Sequence, residues 1–577
     1  MVEERDDGRG AWKASESDAF EQRGEGLARV SEGHPFQQRF GLLSSASARM
    51  EALLEVPEQL AERDPLELYD LIAELGLDDA MELAIQASPE QLQGFVDFDG
   101  WRGERFEASS ISRWIDVILA KDDEAFVEAF EQLDPELLPL YFQSMLRVEL
   151  RDEDDPVLAG EEEATFEPSP DGAYLVQYPQ DQAEAERCRA LLLRIYQTMG
   201  VMKGWMMMEA TRWELPSEME ETALRFRNAR LEDYGFRSFD EARRALSMVD
   251  PERERERLRA LDGEPLLFVR APMPSHLRQA LAELDDEGLF LARCSARLSE
   301  PEWLQFEAQL VSLCGLVCCA QRVEASDRFE QQRVILQVTS WLSVALEYLA
   351  ERELEQGVKL LRVAALRELY RVASSLLERL RRRARNLLDA AQSTVVDGEL
   401  ASLLNEEQQD LVEGLLHSVP LRSALGAQHF DRYAQVEQSA RLLVDLAFEQ
   451  LLFYSVLAIE PAQLAALAYS PKLFGGPQQL TFERAFATLV WREYRGLQPP
   501  LGALLAEELP EDAEDWARAL EAWPVPRLLS AGPSSAGMRA AAARFLGRVA
   551  ARVREELPAR AREAELSFVG GLLLCSP

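Results

Sequence analysis

A dense group of arginine and acidic residues lies in the segment ELPSEMEETALRFRNARLEDYGF, which covers residues 214–236. A guanidinium binds carboxylate or phosphate oxygens through a fork of N–H groups, so such a group is typical of an anion or substrate site. The same side chains can instead form a buried ion network that fixes how helices pack. Both interpretations stay open, and the candidate residues are Glu218, Glu221, Arg227, Asn228, Arg230 and Asp233.

The elements that must position these side chains are two helices joined by a glycine turn. Ser217 and Glu220 have the spacing of a capping box, so the first helix is expected to start there. Glu221 and Arg225 lie four residues apart, which favours an ion pair on one helix face. Gly235 supplies the left-handed residue that is typical of a helix end, and a second amphipathic helix follows it.

Several strings in and around this element resemble a known family. They are WELPSEMEETALRFRNARLEDYGFRSFDEA, the segment SPEQLQGFVDFDGW that ends at Trp101, and DGAYLVQY. Together they resemble an uncharacterised bacterial protein family, known as a domain of unknown function, over most of the chain from about residue 40 onward. The resemblance implies a largely helical protein with no assigned activity, so it gives no residue a catalytic role.

No other motif in the sequence predicts catalysis, metal binding or a cofactor. A glycine-rich dinucleotide motif after a strand, a Walker A sequence, H-E-x-x-H and G-x-S-x-G are all missing. The string DFDGW has part of a calcium loop, but Phe95 and Phe106 would occupy two ligand positions. Six cysteines without a C-x-x-C pair and four dispersed histidines predict reduced, buried thiols and no zinc site. We therefore expect no metal and no cofactor.

Composition indicates a mainly all-α protein that stays in the cytoplasm. Ala, Leu, Glu and Arg dominate the 577 residues and favour helix. The longest apolar runs, such as LLFYSVLAI at 451–459, are about half the length that a bilayer requires, so no membrane span is expected. The amino-terminal segment has no apolar core of a secretory signal, which predicts a cytoplasmic location.

The charge of the chain restricts its partners. The net charge is −40, and the first 170 residues hold 14 basic and 42 acidic residues. Such a field repels nucleic acid and anionic lipid, and it favours basic partners or cations near the front of the chain. Only five of the 62 basic residues are lysine, which indicates a biased base composition rather than a selection of arginines for their chemistry.

Breaks in the hydrophobic pattern predict four regions. Residues 1–38 are expected to be a disordered tail, because they hold few large apolar side chains. An acidic domain of short helical repeats is expected at 41–150, and a central domain at 165–262 with a β-hairpin near 165–178. A helical bundle is expected over 275–577, with a possible break near 391–410.

Two similar strings carry the repeat prediction. LAERDPLELYDLI and FEQLDPELLPLYF share an apolar, Asp-Pro, Glu-Leu pattern, in which Asp64 or Asp134 is expected to cap a helix. Pro65 or Pro135 then occupies the first helical turn. This acidic region is similar in pattern to the front domain of magnesium transporters of the MgtE type, which implies a superhelical fold and, in that family, cation sensing.

The functional prediction follows from these patterns and exclusions. The leading hypothesis is a non-catalytic cytoplasmic protein that binds another protein or assembles with itself. The alternatives are an enzyme or sensor for an anionic small molecule at the Arg/Glu cluster, and divalent-cation sensing by the acidic front. Three consecutive methionines, Met206–Met208 beside Trp205, could form a plastic binding surface, but burial is favoured because consecutive residues occupy different helix faces.

Overall fold

The computed structural model describes residues 45–151, 166–233, 239–261, 275–283, 289–324, 327–391, 395–396, 399–400, 403–523 and 536–576. Its fold is mainly α-helical with small antiparallel sheets, which confirms the all-α prediction. The chain forms two compact units, a first unit of residues 31–371 and a second unit that contains residues 372–577. The tail at 1–38 lies outside the described residues, and the finer domain bounds, with the break near 391–410, stay predictions.

The first unit begins with short helices and continues with longer ones. Its helices are α1 (Ala46–Leu54), α2 (Pro57–Ala61), α3 (Pro65–Leu75), α4 (Met81–Gln86), α5 (Pro89–Asp99), α6 (Ala108–Ala120), α7 (Asp123–Gln132), α8 (Leu137–Met145), α9 (Gln182–Thr198), α10 (Val201–Trp213), α11 (Pro216–Asp233), α12 (Phe239–Ala245), α13 (Pro251–Arg259), α14 (Ser275–Glu283), α15 (Phe290–Ser295), α16 (Glu300–Gln321), α17 (Arg328–Ala350) and α18 (Leu354–Val363). The division between the units falls inside α19 (Leu366–Ala391).

The two strings of the repeat prediction start their helices differently. Asp64 caps α3 by accepting a hydrogen bond from the Leu66 N–H at 2.9 Å, with Pro65 in the first turn, as predicted. Helix α8, however, begins at Leu137 and not after Asp134. The predicted cap at Asp134 is therefore wrong, and its carboxylate has a partner elsewhere in the chain.

The predicted β-hairpin is present and gains a third strand. Strands β4 (Phe166–Pro168) and β5 (Tyr174–Gln177) are antiparallel, and β3 (Arg147–Leu150) pairs with the other edge of β5. The connecting turn contains Gly172 at a φ of 72°, where a residue without Cβ avoids steric cost. A smaller hairpin, formed by β1 (Trp101–Arg102) and β2 (Arg105–Phe106), follows α5 directly.

Aromatic side chains fill the core between α3, α5 and α6. The rings of Phe95 and Trp114 have centroids 4.9 Å apart, and those of Tyr69 and Phe98 are 5.3 Å apart. These four residues are almost completely buried, so each contributes a large apolar area to the core. This core holds α5 in place, and α5 ends beside the β1–β2 hairpin.

The second unit is a helical bundle with short 3₁₀ segments. Its helices after α19 are α20 (Glu406–Leu416), α21 (Tyr433–Gln450), α22 (Pro461–Ala468), α23 (Phe482–Tyr494), α24 (Ala513–Ala522) and α25 (Ala536–Glu556). A π-helical segment, Leu451–Val456, continues α21, and a two-stranded sheet is formed by β6 (Val395–Val396) and β7 (Glu399–Leu400). Helices α21 and α25 pack against each other along their length.

One helix among the described residues has the length and apolar composition to cross a membrane. This helix is α16, and 61% of its most apolar window is buried inside the protein, as in the core helix of a soluble domain. A second segment passes the same test only if α21 with its π-helical extension is joined to α22 across a bend of 105°. These features agree with the prediction that the chain has no membrane span.

Helices α9 and α10 approach each other closely at Gly204. A Cβ atom at Gly204 would lie 2.5 Å from the buried ring of Tyr196. We expect Gly204→Ala to lower the free energy of unfolding by about 1–3 kcal/mol, because the ring must shift in a packed core. Gly547 in α25 has open space around it, so Gly547→Ala should raise stability by about 0.5–1 kcal/mol. Urea denaturation followed by circular dichroism checks both values, and equal effects would contradict the packing argument.

Candidate functional site

Helix α11 positions the predicted Arg/Glu cluster, but it starts in a different way from the prediction. The Leu215 carbonyl accepts the first hydrogen bonds of the helix, so Ser217 lies inside α11 and the predicted capping box is wrong. Glu220 makes a tertiary contact instead, and its carboxylate accepts a hydrogen bond from the Phe106 N–H at 2.6 Å. The predicted turn at Gly235 lies outside the described residues.

The six candidate residues separate into two groups. Arg227, Asn228 and Arg230 are half-buried, whereas Glu218 and Glu221 are exposed and form no ion pair with the arginines among the described contacts. The predicted ion pair between Glu221 and Arg225 is absent among the described contacts. The side chain of Asp233 lies outside the described residues. The structure therefore brings the two arginines together but not the predicted glutamates.

Arg230 is clamped between two aspartates that come from different parts of the chain. Its Nε donates to Asp97 Oδ2 at 2.6 Å, and its Nη2 donates to Asp97 Oδ1 at 2.9 Å. The other side of the guanidinium donates to Asp134, with Nη1 to Oδ1 at 2.9 Å and Nη2 to Oδ2 at 2.5 Å. Burial opposes the charge of Arg230, but the hydrogen bonds that it donates to both aspartates raise its pKa above the ordinary value.

Gln93 closes these contacts into a ring. Its Nε2 donates to Asp97 Oδ1 at 2.9 Å, and its Oε1 accepts the Asp134 N–H at 2.9 Å. The ring ties α11, α5 and the segment before α8 together, and every polar group in it has a partner. Arg230 and Asp97 thus belong to a largely buried ion network between helices, which is the arrangement that one of the two interpretations describes.

Arg227 has a different environment from Arg230. Its Nε donates to the Asp97 carbonyl oxygen at 2.7 Å, and its guanidinium carbon lies 5.5 Å from the centroid of the Trp101 ring. No carboxylate among the described residues lies within ion-pair distance of it. Burial lowers the pKa of the Arg227 guanidinium to about 10, so the group stays charged at neutral pH.

A cavity of about 370 Å³ opens beside Arg227, and we call it the Arg227 cavity. Four arginines line it: Arg102, Arg105, Arg227 and Arg322. Two carboxylates, Glu104 and Glu324, and the ring of Phe239 also contribute to the wall. The rest of the lining comes from the β1–β2 hairpin, α11, and the end of α16.

The two aspartates of the DFDGW string, which has only part of a calcium loop, are hydrogen-bond acceptors in the core. Asp99 accepts from Trp114 Nε1 at 2.8 Å, from the Tyr69 hydroxyl at 3.1 Å, and from Arg113. Among the described residues, no group of three or more His, Cys, Asp or Glu side chains could hold a metal ion. These carboxylates therefore organise the interior around α5.

The second unit contains an arginine ladder that the sequence analysis did not identify. Arg544, Arg548 and Arg552 follow each other at four-residue intervals along α25. They pair with buried carboxylates of α21 and α23: Arg544 with Asp445 at 2.5 Å, Arg548 with Asp445, Glu449 and Glu483 at 2.9, 2.5 and 2.9 Å, and Arg552 with Glu483 at 2.8 Å. The regular spacing of the arginines on one face of an alanine-rich helix was the signal that could have found the ladder.

Glu449 is the most deeply buried carboxyl group of this ladder. Its oxygens accept hydrogen bonds from Gln408 Nε2 at 3.2 and 3.0 Å, in addition to the contact with Arg548. Burial raises the pKa of Glu449 to about 7, although Gln408 and Arg548 both favour the charged form. A cavity of about 890 Å³ opens beside the ladder, next to Glu483, Arg548 and Arg552.

Helix α10 is apolar on both of its sides. Gly204, Met207, Met208 and Thr211 are buried, whereas Val201, Met202, Trp205, Met206 and Trp213 are exposed, with Leu215 just beyond the helix. We call these six exposed side chains the α10 apolar face. The prediction that the methionine run is buried is therefore right for Met207 and Met208, but Trp205 and Met206 point to solvent.

One protein family has a model that matches nearly the whole chain. The model of a family of unknown function, DUF6178, matches residues 33–574. The chain belongs to this family. The resemblance noted in the sequence to a family without assigned activity is thus confirmed.

Comparisons with curated proteins and with solved structures returned no match. The similarity of the acidic front to magnesium transporters of the MgtE type is not shown by any of these comparisons. Membership of DUF6178 agrees with an unknown function and transfers no substrate or partner.

Removal of Arg230 should destabilise the first unit strongly. In Arg230→Gln, the side chain of Asp97, which is 2% exposed, loses its charged partner inside the protein. We expect a loss of about 3–5 kcal/mol in the free energy of unfolding, measured by urea denaturation. Arg225 is exposed on the same helix, so Arg225→Gln should change stability by less than about 0.5 kcal/mol. If Arg230→Gln lowers the free energy of unfolding by less than about 1 kcal/mol, the ring around Arg230 is not needed for stability.

Glu449 should make the stability of the second unit depend on pH. Its pKa in the folded protein, about 7, exceeds its ordinary value of 4.5, so the unfolding free energy falls as the pH rises between these values. Glu449→Gln lacks this ionisation. The stability advantage of the wild type over Glu449→Gln should therefore shrink by about 1–3 kcal/mol between pH 5 and pH 7.5. Urea denaturation at each pH provides the measurement.

The control for this pH series is Glu413→Gln, which changes an exposed glutamate on α20. Its stability relative to the wild type should stay constant over the same pH range. A constant difference for Glu449→Gln as well would mean that Glu449 remains ionised as the partner of Arg548.

Proposed function

We propose that this protein is a non-catalytic helical assembly protein that associates with a second copy of itself through the α10 apolar face. The observation that carries the proposal is the outer side of α10. Met202 is 71% exposed and Trp213 is 67% exposed, and the other members of the face are also open to solvent. A large apolar helix surface is normally covered, and the outer side of α10 has no cover among the described residues.

The geometry of α10 places the exposed residues on one side of the helix. With 100° between successive residues, Val201, Met202, Trp205, Met206 and Trp213 fall within an arc of about 140°. The charge pair of Glu209 and Arg212 lies within the same arc. The buried residues of α10 occupy the opposite arc. Tryptophan and methionine are enriched in the centres of protein interfaces, and contiguous apolar patches of this kind mark interaction sites.

The area of the face fits a dimer. Its six side chains expose about 700 Å² of mostly apolar surface, close to the roughly 800 Å² that each partner buries in an interface of standard size. Two copies would together bury about 1,400 Å², which is inside the range of stable complexes. Many surface patches on monomers are smaller than this.

The charges near the face favour a second copy over a different partner. The Glu209 carboxylate accepts a hydrogen bond from the Tyr174 hydroxyl at 2.7 Å and lies 3.8 Å from Arg212, whose guanidinium stacks on Trp213 at 4.6 Å. Both of these charges are thus satisfied within the chain, so neither of them selects a partner of opposite sign. An apolar patch of this kind is complementary to itself, as a two-fold interface requires.

The cysteines support a non-catalytic role in the cytoplasm. All six are free thiols, and four of them are buried. Burial raises the pKa of Cys188 to about 11, which disfavours the thiolate that nucleophilic catalysis needs. Free thiols in a chain of this size fit a reducing compartment, so we propose the cytoplasm as its location.

The association is tested by the mass of the protein in solution. Size-exclusion chromatography with light scattering should give twice the chain mass of 65.1 kDa at micromolar concentration. The double variant Met202→Glu/Met206→Glu places two like charges in the interface of each copy, so it should elute as a monomer with an unchanged circular dichroism spectrum. Phe568→Glu, which changes an exposed side chain of the second unit, should remain a dimer.

Three results would overturn the proposal. One is a wild-type protein that stays monomeric up to about 100 μM, well above the range of specific dimers. Another is a dimer that Met202→Glu/Met206→Glu does not dissociate. The third is a monomer whose melting temperature falls in the double variant, because this would mean that another part of the same chain covers the face.

A further inference from the structure

The Arg227 cavity contains a charged group whose hydrogen-bonding capacity is mostly unused. A guanidinium has five N–H donors, and the only contact of Arg227 with a described polar atom is the bond from Nε to the Asp97 carbonyl oxygen. Its two Nη groups have no partner among the described residues, and they are not sealed from solvent. These N–H groups are therefore free to donate to an acceptor that enters the cavity.

Neighbouring residues fix the orientation of this guanidinium. The Asp97 backbone that accepts the Nε bond belongs to α5, and α5 is fixed by the aromatic core and by the Arg230 ring. The Trp101 ring lies under the guanidinium and is 1% exposed. The fork of Nη groups is therefore presented to the cavity before any ligand arrives, which reduces the entropy cost of binding.

The charges around the cavity are positive, in contrast to the protein as a whole. Arg102, Arg105 and Arg322 stand at the exposed rim, while Arg227 forms the inner wall. Glu104 is exposed at the same rim. Burial raises the pKa of Glu324, so this second carboxylate holds its negative charge less readily than a free one. An anion that enters the cavity meets four arginines and two carboxylates.

The volume restricts the size of the occupant. About 370 Å³ lies at the lower end of the range for small-molecule sites, which suits a compact ligand with one charged group. A carboxylate and a phosphate both offer two oxygens at the spacing of a guanidinium fork. A macromolecule would contact only the rim.

From this arrangement we infer that the Arg227 cavity binds a small organic anion, whose carboxylate or phosphate group accepts two hydrogen bonds from the Nη groups of Arg227. Arg102, Arg105 and Arg322 attract the anion to the entrance and hold its outer part. The ring around Arg230 is the scaffold of this site and does not contact the ligand. This inference is independent of self-association, because it concerns a different surface of the first unit.

Two probes distinguish a phosphate-bearing ligand from a carboxylate ligand. Inorganic phosphate and benzoate are titrated separately into the full-length protein by isothermal calorimetry, with sodium chloride added to constant ionic strength. Arg227→Gln removes the fork and should weaken the binding of the preferred probe by about tenfold or more. Arg227→Lys keeps the charge but lacks the fork, so it should recover only part of this loss.

The matched control is Arg225→Gln, which removes an exposed arginine from the same helix outside the cavity. Its affinity for either probe should stay within about twofold of the wild type, since charges at the surface are screened.

A second test of the site, which leaves Arg227 in place, is Arg322→Asn. Asn tolerates the left-handed backbone at this position, where φ is 59°, and the variant should bind about two- to fivefold more weakly.

Binding of phosphate alone would assign a phosphate-bearing ligand, and binding of benzoate alone would assign a carboxylate. Either outcome supports the inference if Arg227→Gln loses the binding of that probe and Arg225→Gln keeps it. The inference is overturned if neither probe binds below about 10 mM, which corresponds to less than 3 kcal/mol. It is also overturned if Arg227→Gln binds the preferred probe as well as the wild type does.

Discussion

Matched charge between helices is the constraint on which both units depend. Helices as rich in arginine and glutamate as these can pack closely only if each charge that leaves water finds a partner of opposite sign. In the first unit, Arg230 is held by Asp97 and Asp134. In the second unit, Arg548 is held by three carboxylates at once. The planar fork of arginine suits this role better than a lysine ammonium, because it can bind several carboxylates in fixed directions.

Local signals were predictable from the sequence, whereas tertiary partners were not. Asp64 caps α3 because the cap bond joins residues two positions apart, so the sequence contains all of it. Asp134 has the same Asp-Pro context but binds Arg230, which lies 96 positions away. Glu220 is likewise drawn from the helix start to the N–H of Phe106. The sequence therefore predicted the helices and the hairpin, but not the aspartates that bind Arg230.

Residues that break a general rule of folding, such as an apolar helix surface that faces solvent or a half-buried charge without a partner, are expected at functional sites. Helix α10 follows the pattern of an interior helix, but one side of it faces solvent. Arg227 follows the pattern of a buried ion pair, but no described carboxylate completes the pair. Both features lie in the first unit, where they contrast with the closely matched charges of Arg230 and Asp97. For a family whose function is unknown, such exceptions give a more specific guide than the fold does.

The ring at Arg230 also limits how this part of the chain can evolve. Asp134 is held twice, through its side chain by Arg230 and through its backbone N–H by Gln93. The length of the short connection between α7 and α8 is therefore fixed, because an inserted or deleted residue there would break one of these hydrogen bonds. Members of the family that differ in length should consequently keep this connection constant and accommodate their extra residues at other connections.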